Sequence, residues 1–440
     1  MTAPHRIVLD NGLRVLLSPR PGAPAVAVAV HYDVGFRSEP EGRGGFSHLF
    51  EHLMFQGSDN HPKMAHWNYV QGLGGIINGS THQDYTDYFQ LLPSNGLEKV
   101  LAMEAGRMTN LRVTEENLDN QRSVVKEEIR SNVLNRAYGG FPWIPLPALL
   151  YRTYPNAHNG YGDFADLDAT GVSHAVDFYR AHYTPANAVL TIRGDLNVPR
   201  AASLVERYFG PLPRRPRPAP APLDEPPPSA TLRGSHKDPH APMPAVAVGY
   251  RLPDPRSELD AYLAWMTLCE VLTGGTASVL HTSLVREHGV AVHVSAGCGL
   301  FNSLDARAPD TLALVATHRP DTDADLILGL VDRELERLAD ARTLEDRTRV
   351  ARSRLATRLA RRNADLLAST RALGAYELLY GRPGLLDELP GRVTAVRTES
   401  VRQAVGHLRS PARAVLSLLP GSTDRTATEA VTARKAGAAR

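Results

Sequence analysis

Between Pro211 and Pro228 the chain reads PLPRRPRPAPAPLDEPPP. Each proline fixes φ and removes a backbone donor, so neither a helix nor a central strand can persist across this run. The run predicts a break in the fold: a first domain over 1–212, a linker over 213–233 and a second domain over 234–420. The closing stretch 421–440, GSTDRTATEAVTARKAGAAR, is small, polar and aperiodic and reads as a loose tail. A chain of 440 residues is in any case too long for one comfortable core.

The two sides of the break tell the same story. The first has an apolar strand, AVAVAVHYDVGF, then Arg37-Ser38-Glu39, then a helical pattern; the second has AVAVGYRLP, then Arg256-Ser257-Glu258, then the helical LDAYLAWMTLCEVLTGG. Near their ends come TPANAVLTIRGDLNVP and SPARAVLSLLPGSTDR, in the same order and at similar depth. Two such pairs point to a duplicated domain. Within the first half, alternating apolar runs flank Asn11-Gly12, a hairpin signal. GGIINGSTHQDYTDYFQLLP reads as a second strand pair and SNGLEKVLAMEAGRMTNL as an amphipathic helix. Thr114, ahead of two acidic residues, suits the N-cap of a further helix. Strands and helices mix without regular βαβ alternation, so the expected class is α+β.

Composition excludes more than it selects. The 49 basic and 47 acidic residues nearly cancel, which gives no reason to expect nucleic acid as a partner. The two cysteines, Cys269 and Cys298, are too few and too far apart in sequence for a disulfide framework and read as buried free thiols. No apolar run reaches membrane-spanning length and the start lacks a signal-peptide pattern, so the expectation is a soluble, cytoplasmic chain without membrane contact.

Chemistry concentrates in GGFSHLFEHLMFQGS, residues 44–58. His48, Glu51 and His52 stand at i, i+3 and i+4 and share one face of a helix. Two imidazoles on one face can bind zinc, but a catalytic site needs a third protein ligand and an open position. The helix after Thr114 offers Glu115, Glu116, Glu127 and Glu128, and pattern alone does not choose among them.

HLFEH is the inverted zinc-peptidase motif H-x-x-E-H. With GGIINGSTHQDYTDY, LDNQRSVVKEEIRSN, YPNAHNGYG and FYRAHYTPANAVLTIRGDL around it, the chain resembles the pitrilysin and insulinase family, which includes the mitochondrial processing peptidase, over nearly its whole length. That resemblance implies two homologous domains, each a mixed, mostly antiparallel sheet packed with helices, together half of a clamshell. It implies one Zn²⁺ per chain, held by His48, His52 and Glu128, the last selected by the family's spacing and its V-V-x-x-E context. Glu51 is then the catalytic base, taking a proton from water and passing it to the leaving amine. The family's edge strand, which pairs with an extended peptide substrate, falls on Asn78, Gly79 and Ser80. His158 and Tyr161 match a block of structural character, and His82 reads as a loop or surface histidine near the substrate strand.

Two departures stand out. Where many family members carry another glutamate seven residues before the ligand glutamate, this chain has Gln121, a candidate supporting residue that keeps a hydrogen bond but not the charge. In the second half the family often carries an Arg and a Tyr that bind substrate opposite the zinc; here those positions hold Val285 and Val292. A slipped pair, Arg286 and His293, preserves the spacing, but a one-residue slip turns a side chain away. The resemblance thus implies a zinc-dependent endopeptidase for unstructured peptides or leader segments. It would act as the catalytic half of a heterodimer with a zinc-less Arg/Tyr-bearing homologue, with a homodimer as the alternative. The competing reading is a non-catalytic scaffold or peptide-binding subunit of the same fold.

Overall fold

The computed structural model describes residues 3–421 except 227 and 341, so the expected tail lies almost wholly outside the described residues. The fold is α+β, built on two sheets. The first runs β1-β2-β6-β3-β5-β4, from β1 (His5–Val8), β2 (Arg14–Pro19), β3 (Val26–Tyr32), β4 (Ile76–Thr81), β5 (Thr86–Leu92) and β6 (Ala188–Gly194). The second runs β7-β11-β8-β10-β9, from β7 (Leu232–Asp238), β8 (Ala245–Arg251), β9 (Ala291–Cys298), β10 (Thr311–His318) and β11 (Ala414–Pro420).

With β1 set aside, the sheets superimpose strand for strand in their connectivity. β2 pairs with β6 in parallel as β7 does with β11, and every other neighbouring pair in both is antiparallel. The duplication expected from the two strand-triplet-helix repeats is therefore a duplication of topology. β4 and β9 occupy equivalent edges, free among the described residues.

The hairpin at Asn11-Gly12 joins β1 to β2, and Asn11 does more than turn the chain. Its amide donates to the carbonyls of Phe209 and Leu212 at 2.6 and 3.1 Å, tying the hairpin to the last helix of the first half, Val198–Phe209. Thr114 caps the helix Glu115–Ile129 by accepting from Asn117 N at 3.2 Å. Residues 213–226 form no helix or strand, as the prolines demand, and β7 begins at Leu232, inside the span expected as linker. The run is nevertheless pinned: the Glu225 carboxylate accepts from Arg152 N and Thr153 N at 2.9 and 3.0 Å.

Each half lends a helix to the other's sheet. Pro145–Leu150 lies on β7, β8 and β11, while Leu366–Tyr380 lies on β3, β5 and β6. Gly374 makes the second crossing close, because a Cβ there would stand 2.4 Å from His31 Nδ1. Through this helix the second core, with Leu373 and Ala375, reaches Leu16, Tyr85 and Val189 of the first sheet. The joint also carries buried charge: Glu377 accepts from Arg6 at 2.8 Å, and Arg37, fully enclosed, pairs with Asp84 at 3.4 Å. Cys269 and Cys298 are free and buried, and folding brings their sulfurs to 3.7 Å. Among the described residues no helix is long and apolar enough to cross a membrane.

Candidate metal centre and active site

The motif helix spans Phe46–Leu53. Phe46, Leu49, Phe50 and Leu53 are buried in the first core at helical spacing, which obliges His48, Glu51 and His52 onto the opposite face. Its N-terminus is held by Glu39, whose carboxylate accepts from Gly45 N at 2.9 Å and Ser47 N at 2.7 Å, with His158 Nε2 at 3.2 Å. Burial pushes the Glu39 carboxyl up, and its bonds to His158 and to these two amides oppose that shift.

Across from this face, the Glu115–Ile129 helix presents Glu128. His48 Nε2 lies 3.6 Å from one of its oxygens and His52 Nε2 lies 3.3 Å from the other. Donor atoms of the three residues all fall within 4.8 Å of one another, and the carboxylate is 31% exposed, so the cluster opens to one side. Burial, then His52, lowers His48 to about 4, keeping the imidazole in its neutral, ligating form near pH 7. The hydrogen bond from His52 holds the Glu128 carboxyl below its ordinary range. Two imidazoles and one carboxylate are the donor set of a three-ligand zinc site with an open position, so these residues fit the ion.

Glu51 does not join that cluster. Its Oε2 accepts from Thr81 Oγ1 at 2.8 Å, and burial pushes its pKa up, as suits a base that must take a proton. Gly79 makes room: a Cβ there would sit 3.0 Å from Glu51 Cγ and 3.3 Å from the Tyr88 ring. The cavity over the site has a volume of about 390 Å³ and is walled by Phe36, Trp143, Tyr161 and, from the second half, Phe301.

The remaining expected residues fall as follows. Asn78, Gly79 and Ser80 lie on β4, whose outer edge is unpaired among the described residues, and Asn78 Oδ1 accepts from Gly79 N at 2.9 Å. Ser80 turns its hydroxyl toward Asp87, His82 and Arg371. Gln121 is buried on the Glu128 helix and donates to Asn120 Oδ1 at 2.7 Å. Arg286 and His293 are exposed, the latter on edge strand β9. His82 is not a surface histidine: it is 9% exposed, stacked on Tyr85 and 2.8 Å from Asp305, because the second half closes over it. Tyr161, set aside in the sequence as structural, donates to Glu128 Oε1 at 3.3 Å. Burial and Glu128 push its hydroxyl up to about 12, so it stays protonated. Thr81, Trp143 and Phe301 gave no signal in the sequence, since only the fold brings them to the motif.

A helix-borne H-x-x-E-H facing a glutamate of a second helix, within a duplicated sheet-and-helix architecture, is the layout of an inverzincin-type metallopeptidase. Family comparison agrees. The family described as Insulinase (Peptidase family M16) matches residues 14–137, and its companion, Peptidase M16 inactive domain, matches residues 173–353. The chain belongs to this insulinase-like family and has its two domains. It is 27% identical to the zinc protease PqqE of Helicobacter pylori, over 76% of this chain and 74% of that one. An uncharacterized zinc protease of Mycobacterium tuberculosis is 25% identical over 96% of this chain and 95% of its own length. In fold, the crystal structure of a protease from Helicobacter pylori matches with a TM-score of 0.86 at 22% identity, over 95% of this chain and 99% of the other.

Proposed function

We propose that this chain is a zinc-dependent endopeptidase that cleaves extended, unstructured peptides, with His48, His52 and Glu128 as the ligands and Glu51 as the base. The observation that carries the reading is the convergence of three ligand-type donors within 4.8 Å beside a separately held carboxylate. When bound, zinc supplies the Lewis acidity that peptide hydrolysis near neutral pH requires. The protein's own groups do the rest. Glu51, aimed by Thr81, takes the proton of the attacking water and returns it to the leaving nitrogen. Tyr161 orients the Glu128 carboxylate. The free edge of β4 offers backbone groups for an added strand along Asn78, Gly79 and Ser80, and the aromatic walls of the cavity favour an apolar side chain next to the scissile bond.

Val285 and Val292, at the places where the family carries its substrate-binding Arg and Tyr, support a heterodimer in which a zinc-less homologue supplies that pair. A pair of buried free thiols fits a reducing cytoplasm. The test is zinc content and cleavage of a quenched peptide library by the chain and by Glu51→Gln, each with and without an Arg/Tyr-bearing homologue. Stoichiometric zinc in both, with Glu51-dependent cleavage, is the expected result. No zinc and no cleavage in any combination would leave the scaffold reading instead.

A further inference from the structure

Strand β4 has two faces, and the second is bonded as heavily as the first. Side chains alternate along a strand, so Gly79 and Thr81 meet the motif helix while Asn78 and Ser80 face the opposite side. There Ser80 Oγ is a node. It donates to Asp87 Oδ1 at 2.6 Å and accepts from Arg371 Nη2 at 2.6 Å, and His82 Nε2 lies 2.9 Å away. Arg371 forks onto the fully buried Asp87, with Nε 2.6 Å from Oδ2 and Nη2 3.0 Å from Oδ1, and its guanidinium lies 4.0 Å from the centre of the Phe89 ring. The other nitrogen of His82 is 2.8 Å from Asp305, which also accepts from the Tyr85 hydroxyl at 2.6 Å. Arg371, on the helix Leu366–Tyr380, and Asp305 both belong to the second half; Ser80, His82, Tyr85 and Asp87 belong to the first.

We infer that Arg371, assisted by Asp305 and His82, is a positioning residue for the peptidase reaction: it fixes Ser80, and through the adjoining backbone sets the Thr81 hydroxyl that aims Glu51. The inference rests on the reading of Glu51 as the base. It gives the metal-less half a role in the chemistry that does not need the missing Arg/Tyr pair. Arg suits the task because its planar fork can bond both oxygens of Asp87 while one nitrogen also reaches Ser80, which an ammonium cannot match in one geometry.

The test is a double-mutant cycle on the zinc-loaded full chain, with the homologue present if cleavage requires it. Thr81→Val is expected to lower kcat about tenfold with KM little changed, by freeing Glu51. Arg371→Met should lower kcat by a similar factor at unchanged zinc content, Arg371→Lys should recover part of the loss, and the double variant should fall no further than the worse single variant. A merely structural role predicts losses that multiply; that outcome, or a parental kcat in Arg371→Met, overturns the inference. If Arg371→Met does not fold, Ser80→Ala replaces it in the same cycle with the same two outcomes. Should the zinc-loaded parent cleave nothing, it is the proposed function that has failed. The anchor itself is then read by amide exchange, where unchanged protection of β4 in Arg371→Met, or in Ser80→Ala if the former does not fold, overturns it.

Discussion

In the first half the motif helix lies against edge strand β4 and the helix Glu115–Ile129; in the second, the helix Leu259–Thr273 lies against edge strand β9 and the helix Leu344–Ala364. Counted from the shared Arg-Ser-Glu triplets, Glu51 corresponds to Glu270, His48 to Thr267 and His52 to Val271. The carboxylate persists and its company changes. Glu270, with a side chain 6% exposed, is neutralised by Arg354 at 3.0 Å and Arg358 at 2.6 Å, both from the partnering helix. Thr267 turns its hydroxyl back to the carbonyl of Leu263 at 2.8 Å. A helix, an edge strand and a buried glutamate are thus not enough for a metal centre. Two side chains, His48 and His52 against Thr267 and Val271, separate the half that gathers ligand-type donors beside its glutamate from the half that neutralises its glutamate with two guanidinium groups.

The largest expected effect breaks the first side of this comparison. His52→Ala, or a strong chelator on the parent, should remove zinc and with it all measurable cleavage, read by metal analysis and peptide assay. Glu51→Gln should keep zinc and lower kcat by about 10²–10⁴-fold. Glu270→Gln sharpens the contrast, because it should leave both zinc and kcat at parental values while costing about 1–3 kcal/mol of stability, measured by denaturant unfolding, as two arginines lose their carboxylate. A fall in kcat at full zinc occupancy would show that the halves are chemically coupled at this position too.

The smallest effect concerns the joint between the halves. Burial alone would lower the pKa of His82, but Asp305 and Asp87 outweigh both it and the opposing Arg371, and the net shift is upward. Tyr85 stacks on its ring, Phe301 meets it edge-on, Ser80 Oγ lies 2.9 Å from its Nε2, and His31 packs on the Tyr85 ring in turn. A histidine whose folded-state pKa is raised stabilises fully below its unfolded value, about 6.5, and loses that contribution as pH rises through the higher folded value. The melting temperature of the parent should therefore drop by about 2 °C more than that of His82→Asn as pH rises above that range, followed by calorimetry. Equal pH dependence in the two proteins would remove His82 from the joint's charge balance.

How much could be read in advance depended on how far apart in sequence the cooperating groups lie. His48, Glu51 and His52 occupy one turn and a half of one helix, so geometry follows from spacing. Glu128 sits on another helix among other acidic residues, and only the family resemblance singled it out. Gly79 was legible as a place of close approach, though what approaches it is the Glu51 side chain. His82 was misjudged because burial by a distant segment leaves no local mark: its surroundings, THQDY, are as polar as any loop.

By itself the sequence determined the α+β class, the break at the prolines, the duplication and the helix face shared by His48, Glu51 and His52, because periodicity, turn chemistry and helical spacing act within a few residues of the chain. The tertiary structure alone decided that each half lends a helix to the other's sheet, that Phe301 walls the cavity, that Tyr161 and Thr81 bond to Glu128 and Glu51, and that Arg371 bonds to Ser80 of β4 from the other half. Those are contacts between residues scores to hundreds of positions apart. Nothing local encodes them; they follow from how two apolar sheets and their crossing helices bury one another's surfaces.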